Sequence, residues 1–128
     1  MANQFTTDYF EHAKLYTEKH AFEWLPADDK RPSMHIGFNI NDPFFKPLGA
    51  EITSILETNK DIAFHFHVFV DSYSPENKDN LEKTAQKYGC NIYLYVMDMS
   101  IYQNFHIKVA RFSRVTYIRI VMPWILRN

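Results

Sequence analysis

The chain of 128 residues has one cysteine, three glycines and no long apolar run, and each shortage closes off a class of function. A lone Cys90 cannot form an internal disulfide, and one thiol offers no zinc-site spacing, so the chain reads as a soluble protein of a reducing compartment, the cytoplasm. Neither GxGxxG nor a P-loop occurs, which removes the main support for dinucleotide and P-loop phosphate binding. The longest apolar stretch, Ile118 to Leu126, is too short to span a bilayer and is interrupted by Arg119 and Pro123. The first residues lack the basic and apolar regions of a signal peptide. Fourteen basic against fifteen acidic residues leave a net charge of -1, so no general case for nucleic-acid binding stands. There is also no Asp-x-Asp anywhere in the chain.

What is present is the composition of a globular domain. Hydrophobic residues make up 46% and charged residues 23%, and the length suits one core rather than two. Aromatics are high at 16%, which predicts a ring-rich core or binding surface. Charge is unevenly spread. Residues 99–128 hold Lys108, Arg111, Arg114, Arg119 and Arg127 and no acid, which points to a local anion partner near the C-terminus.

Periodicity predicts an amphipathic helix from Thr7 to Trp24, with Tyr9, Phe10, Ala13, Tyr16 and His20 at helical spacing. Pro26 to Pro32 then reads as a linker, so residues 1–31 form a helical extension and linker before a main domain over 32–128. Met34–Ile40 is a first strand, ended by Asn41-Asp42-Pro43, and Pro47 opens a helix to about Thr58. Ile62–Val70 is so continuously apolar that both its faces should be covered, as in a parallel sheet. Ser74-Pro75-Glu76 starts a helix that stops at Gly89, and Asn91–Met97 is a third strand. A last helix is expected from about Ser113 to Leu126, kinked or shortened by Pro123. Strands alternating with helices predict an α/β domain with three parallel strands and crossover helices. Ligands of such sheets bind beyond the carboxyl ends of the strands, here Asn39–Phe44, Asp71–Ser74 and Asp98–Ser100.

Each candidate group there carries two readings. Asn41, Asp42 and Phe44 could read a nucleotide base by hydrogen bonds and stacking, or form an ordinary turn with Phe44 folded into the core. His65 and His67 share a strand face and could chelate a metal, but no third ligand is evident. Asp28-Asp29 reads as solvated linker, Asp71 and Asp98 as strand-end acids or caps, and Cys90 as structural. Arg119 stands within an apolar run. If buried it needs an anion such as phosphate, or else a core carboxylate or an escape to water.

Three stretches taken together resemble glycosyltransferase family 8. They are Ile36 to Leu56 (IGFNINDPFFKPLGAEITSIL), Phe64 to Asp71 (FHFHVFVD) and Arg114 to Ile120 (RVTYIRI). The nearest subgroup in pattern is the bacterial hexosyltransferases that extend the lipopolysaccharide core with glucose or galactose. The resemblance implies the N-terminal half of a GT-A, Rossmann-like nucleotide-sugar-binding domain, a UDP-sugar donor, a lipopolysaccharide core acceptor and a divalent metal, Mn²⁺ or Mg²⁺. It implies donor binding by Asn39, Asn41, Asp42, Phe44 and Arg119, with Thr116 and Tyr117 in the same motif as Arg119. The family's usual aspartate falls on Asn41, its common asparagine on Pro43 and its stacking tyrosine on Phe44.

In the family, the helix ending near Leu126 leads into a strand bearing an Asp-x-Asp metal site, whereas this chain stops at Asn128. The expectation is therefore a uridine-binding fragment of a UDP-hexose-dependent transferase of lipopolysaccharide core biosynthesis, cytoplasmic at the inner face of the membrane, that is inactive alone because it lacks the Asp-x-Asp metal site. The other expectation is a non-catalytic α/β interaction module. An open frame encoding Tyr-Leu-Asp-x-Asp directly downstream would distinguish them. Without that strand, Met34–Ile40 becomes an edge with no proline or lysine to guard it, and self-association through it is expected.

Overall fold

Parallel strands need long connections, and the alternation of strand and helix over residues 33–97 supplies them. In the computed structural model, residues 14–102, 118–119 and 121–126 are described. Strands β1 (Tyr16–Glu23), β2 (Ser33–Asn39), β3 (Ala63–Val70) and β4 (Asn91–Met97) form one sheet in the order β1-β4-β3-β2. β2, β3 and β4 are parallel, in the register His35↔His65↔Asn91 and Gly37↔His67↔Tyr93, while β1 lies antiparallel on β4. The connecting helices are α1 (Phe45–Thr58) and α2 (Pro75–Tyr88). The α/β class and the parallel order of the three expected strands are as the sequence predicts.

Both helices cover one face. Leu48, Ile52 and Leu56 of α1 and Leu81 and Ala85 of α2 pack on Phe64, Phe66, Val68, Ile92 and Leu94. Ser74 caps α2, its hydroxyl accepting from the Asn77 N–H at 3.3 Å. Gly89 ends it at φ 65°, a left-handed conformation that glycine adopts without a Cβ penalty. Cys90 is buried in this core, which pushes its thiol up to about 11 and keeps it unreactive at neutral pH. On the opposite face Leu15, Phe69, Tyr95 and Met97 meet Ile118 and Val121. β3 is thus covered on both sides over most of its length.

Two expectations are corrected. The helix predicted over Thr7–Trp24 is, in its described part, strand β1. The spacing of Tyr16 and His20 mimics a helical face, but Tyr16–Glu23 gains a ladder, irregular only between Tyr16 and Glu18, along the edge of β4 and buries Phe22. Sheet pairing of this kind overrides local periodicity. Residues 7–13 lie outside the described part. The last helix is described only as α3 (Met122–Leu126), with Pro123 in its first turn, where a missing N–H costs nothing. Residues 113–117 of that expected helix lie outside the described part. Asp29, expected to be solvated, is held instead: Arg31 grips its carboxylate at 2.6 Å and donates to the Lys60 carbonyl at 2.9 Å.

Candidate functional site

At the carboxyl edge of the sheet, β2 runs out at Asn39, and the Ile40 N–H still donates to the Phe69 carbonyl at 3.0 Å. The chain then turns through a short 3₁₀ segment, Asp42–Phe44, closed by the Phe44 N–H on the Asn41 carbonyl at 3.0 Å. Pro43 suits this turn because its fixed φ matches the first helical positions. Of the two neighbouring rings, Phe45 enters the core at 6% exposure, whereas Phe44 stays 55% exposed. The turn therefore leaves an aromatic ring at the strand ends rather than folding it inward.

Asn41 Oδ1 is buried and has no hydrogen-bond partner among the described residues. An acceptor in that condition is costly unless a donor reaches it. Asp42 points the other way. Its Oδ1 accepts from the Ser74 N–H at 3.3 Å and from Asn77 Nδ2 at 3.0 Å, tying the turn to the first turn of α2. A carboxylate is favoured there by the orphan donors of the helix start. Asp42→Ala is expected to cost about 1–2 kcal/mol of stability by leaving those donors without their charged acceptor. Urea unfolding checks this, and an unchanged midpoint would show that the bridge is idle.

Asp71 and Asp98 serve the backbone beside them. Asp71 Oδ1 accepts from the Ser72 N–H at 2.8 Å, and Asp98 Oδ1 accepts from the Ser100 N–H and hydroxyl at 3.0 and 2.6 Å. Arg119 is exposed, between buried Ile118 and Val121, so the guanidinium meets water and no buried charge demands an anion. Thr116 and Tyr117 lie outside the described residues.

His65 and His67 do share a face, but the sequence reading missed the row they belong to. His35 Nδ1 stands 2.9 Å from His67 Nε2, and its ring stacks on His65 at 4.3 Å between centroids. His67 in turn stacks on Tyr93 at 5.1 Å and lies 3.4 Å from the Tyr95 hydroxyl through Nδ1. Lys19 Nζ from β1 sits 5.4 Å from the Tyr93 and Tyr95 ring centroids. Burial, then the charges of His35, His65 and Lys19, hold His67 down at about 4, so it is neutral at pH 7. Burial likewise lowers His65, with His35 adding to the effect, and raises Tyr95 to about 12. Odd-numbered residues 35, 65, 67, 93 and 95 carry a period-two signal, but only the strand register aligns them.

Residues 35–128 match Glycosyl transferase family 8. The chain belongs to that family. Its residues are 27% identical over 88 positions to the lipopolysaccharide 1,3-galactosyltransferase of Salmonella typhimurium (strain LT2), covering 69% of this chain and 26% of that protein. They are 33% identical over 90 positions to the lipopolysaccharide 1,2-glucosyltransferase of Escherichia coli, covering 70% of this chain and 26% of that protein. General stress protein A of Bacillus subtilis (strain 168) is 28% identical over 97 positions, covering 74% of this chain and 33% of that protein. No solved structure matches significantly.

The family 8 chain thus spans 26–33% of the length of these curated relatives. Family 8 enzymes generally depend on a metal, and the described residues do not fit one. Among the described residues no group of three or more His, Cys, Asp or Glu side chains could hold a metal ion. The strand-end acids are already committed to backbone and side-chain donors. No helix among the described residues is long and apolar enough to cross a membrane.

Proposed function

We propose that this chain carries the uridine-binding part of a UDP-hexose-dependent glycosyltransferase of lipopolysaccharide core biosynthesis. The division at residue 31 belongs to the same proposal, with β1 of residues 1–31 completing the sheet of the half-domain over 32–128, as does a cytoplasmic place near the membrane that holds the acceptor. The observation that carries the reading is the β2 turn. Within the family match, an exposed Phe44 ring stands three residues from Asn41, whose buried Oδ1 has no partner among the described residues. A uracil offers a flat ring to stack and an N–H to donate, which suits both groups. Asn39 at the strand end, Asp42 in the turn and Arg119, a cation facing water, complete the proposed donor surface. Asp42 acts there by holding the turn against α2.

One stacked ring and one amide support weak binding, near millimolar or about 4 kcal/mol. Titration of UDP into the labelled chain, followed by NMR, should shift residues 39–45 first. Phe44→Ala should remove the response, since stacking of a base on an aromatic ring is worth about 1–3 kcal/mol. Shifts confined to the His65 and His67 face would overturn the placement. An absence of any shift well above millimolar UDP would favour the other reading, a non-catalytic interaction module.

A further inference from the structure

The β2 turn is held at its two ends and at one point between them. The Ile40 N–H bond to the Phe69 carbonyl fixes its start, and Phe45, 6% exposed, anchors its end in the core. Between them Pro43 and Phe44 are exposed, and Asn41 Oδ1 has no partner among the described residues. The hold in the middle is the Asp42 carboxylate on the start of α2.

That helix start is built in an unusual way. A capping serine commonly works with a glutamate or glutamine at the third helical position, whose side chain reaches back to the N–H of the cap. Ser74 is the cap of α2, and Asn77 is that third residue. The first half of the box is present, since the Ser74 hydroxyl accepts from the Asn77 N–H at 3.3 Å. The second half is closed from outside the helix. Asp42, 32 residues earlier, takes the Ser74 N–H at 3.3 Å, and the same Oδ1 accepts from Asn77 Nδ2 at 3.0 Å. An amide serves at position 77 because it donates. A carboxylate there would take the Ser74 N–H for itself and repel Asp42.

On the uridine reading of the turn, we propose that Asn77 is a positioning residue of the donor site. It acts through Asp42 and sets where Asn41 and Phe44 present their amide and their ring. Asn41 directly precedes Asp42, and Phe44 closes the same 3₁₀ turn, so a displaced Asp42 carries both groups with it. A turn that leaves this arrangement lowers the apparent affinity by the fraction of time it is away.

The experiment follows backbone NMR relaxation and UDP titration in the labelled chain, in Asn77→Asp, in Asn77→Ala and in the exchange that joins Asp42→Asn to Asn77→Asp. Asn77→Asp sets two carboxylates against one N–H, while an acid in the first turn still suits the helix, so α2 persists. Residues 41–45 should fall from the rigid order-parameter range near roughly 0.85 to below about 0.6. UDP should bind about tenfold more weakly, as for a turn that is competent about a tenth of the time. Asn77→Ala, which removes the donor without adding charge, should show both changes in smaller measure. The exchange restores a donor facing an acceptor, with the amide at 42 accepting the Ser74 N–H and donating to the carboxylate at 77. It should return both order and affinity to those of the unchanged chain. A lower urea midpoint with unchanged order at residues 41–45 would make Asn77 a stability residue only and overturn the proposal. A turn that loosens without loss of UDP affinity overturns it too, as does a folded exchange variant that restores neither property. Absence of UDP shifts in the unchanged chain defeats the uridine reading instead, and the order of residues 41–45 then decides the role of Asn77.

Discussion

Purified chain 1–128 is expected to transfer no hexose from a UDP-hexose and to release no UDP above the buffer rate. Breaking the sugar–phosphate bond places negative charge on the leaving diphosphate, and that charge must be neutralised where it develops. The sequence contains no Asp-x-Asp, and the described residues include no group able to hold a metal ion. Arg119 is a single exposed cation, and a guanidinium in water contributes little compared with a preorganised, water-excluded donor. Loss of even one such donor costs about 10²–10³ in rate, so the expected deficit is larger than that. A UDP-release assay with Mn²⁺ or Mg²⁺ checks this. Metal-dependent release that EDTA abolishes would overturn it, and would mean that ligands are recruited from residues outside the described part.

Acidification is expected to destabilise the fold through His67. In the folded chain His67 is held at about 4, well under the ordinary histidine value of 6.5. Burial is the largest cause, followed by the charges of His35 on β2, His65 on β3 and Lys19 on β1, while the Tyr93 and Tyr95 rings of β4 pack beside it and Glu23 of β1 acts on His65 and Tyr93. The unfolded chain takes up the proton first, so this contribution is fully present above about pH 6.5 and is lost as pH falls to about 4. The shift corresponds to about 3 kcal/mol, a large part of a small domain's 5–15 kcal/mol. Urea unfolding across that window should show the fall, and His67→Phe, which keeps a ring on Tyr93, should flatten it. Parallel pH curves for the two proteins would remove His67 as the cause.

The main strands and helices were legible because their signals are local. Ser74-Pro75 opens a helix and Gly89 closes it through backbone geometry that those residues favour anywhere. The apolar run at Ala63–Val70 announced a strand buried on both faces. The N-terminal element was not legible, because Tyr16 and His20 satisfy a helical spacing while the gain that decides the matter lies about 75 residues away on β4. The turn after β2 was half legible. Asn41-Asp42-Pro43 marks a turn in any context, but nothing local says that Phe45 enters the core and Phe44 does not.

By itself the sequence determined the class of fold, the parallel order of three strands, the place of the turn at their carboxyl ends and the family, because these depend on periodicity, turn chemistry and motif order. Tertiary structure alone decided which groups meet. The register of β2, β3 and β4 aligned His35, His67 and Tyr93 into one stacked row. Docking of the β2 turn on α2 committed Asp42 to Ser74 and Asn77. Packing around Ile118 and Val121 left Arg119 in water. Burial and hydrogen bonding between residues distant in sequence are properties of the packed chain, and no local pattern encodes them.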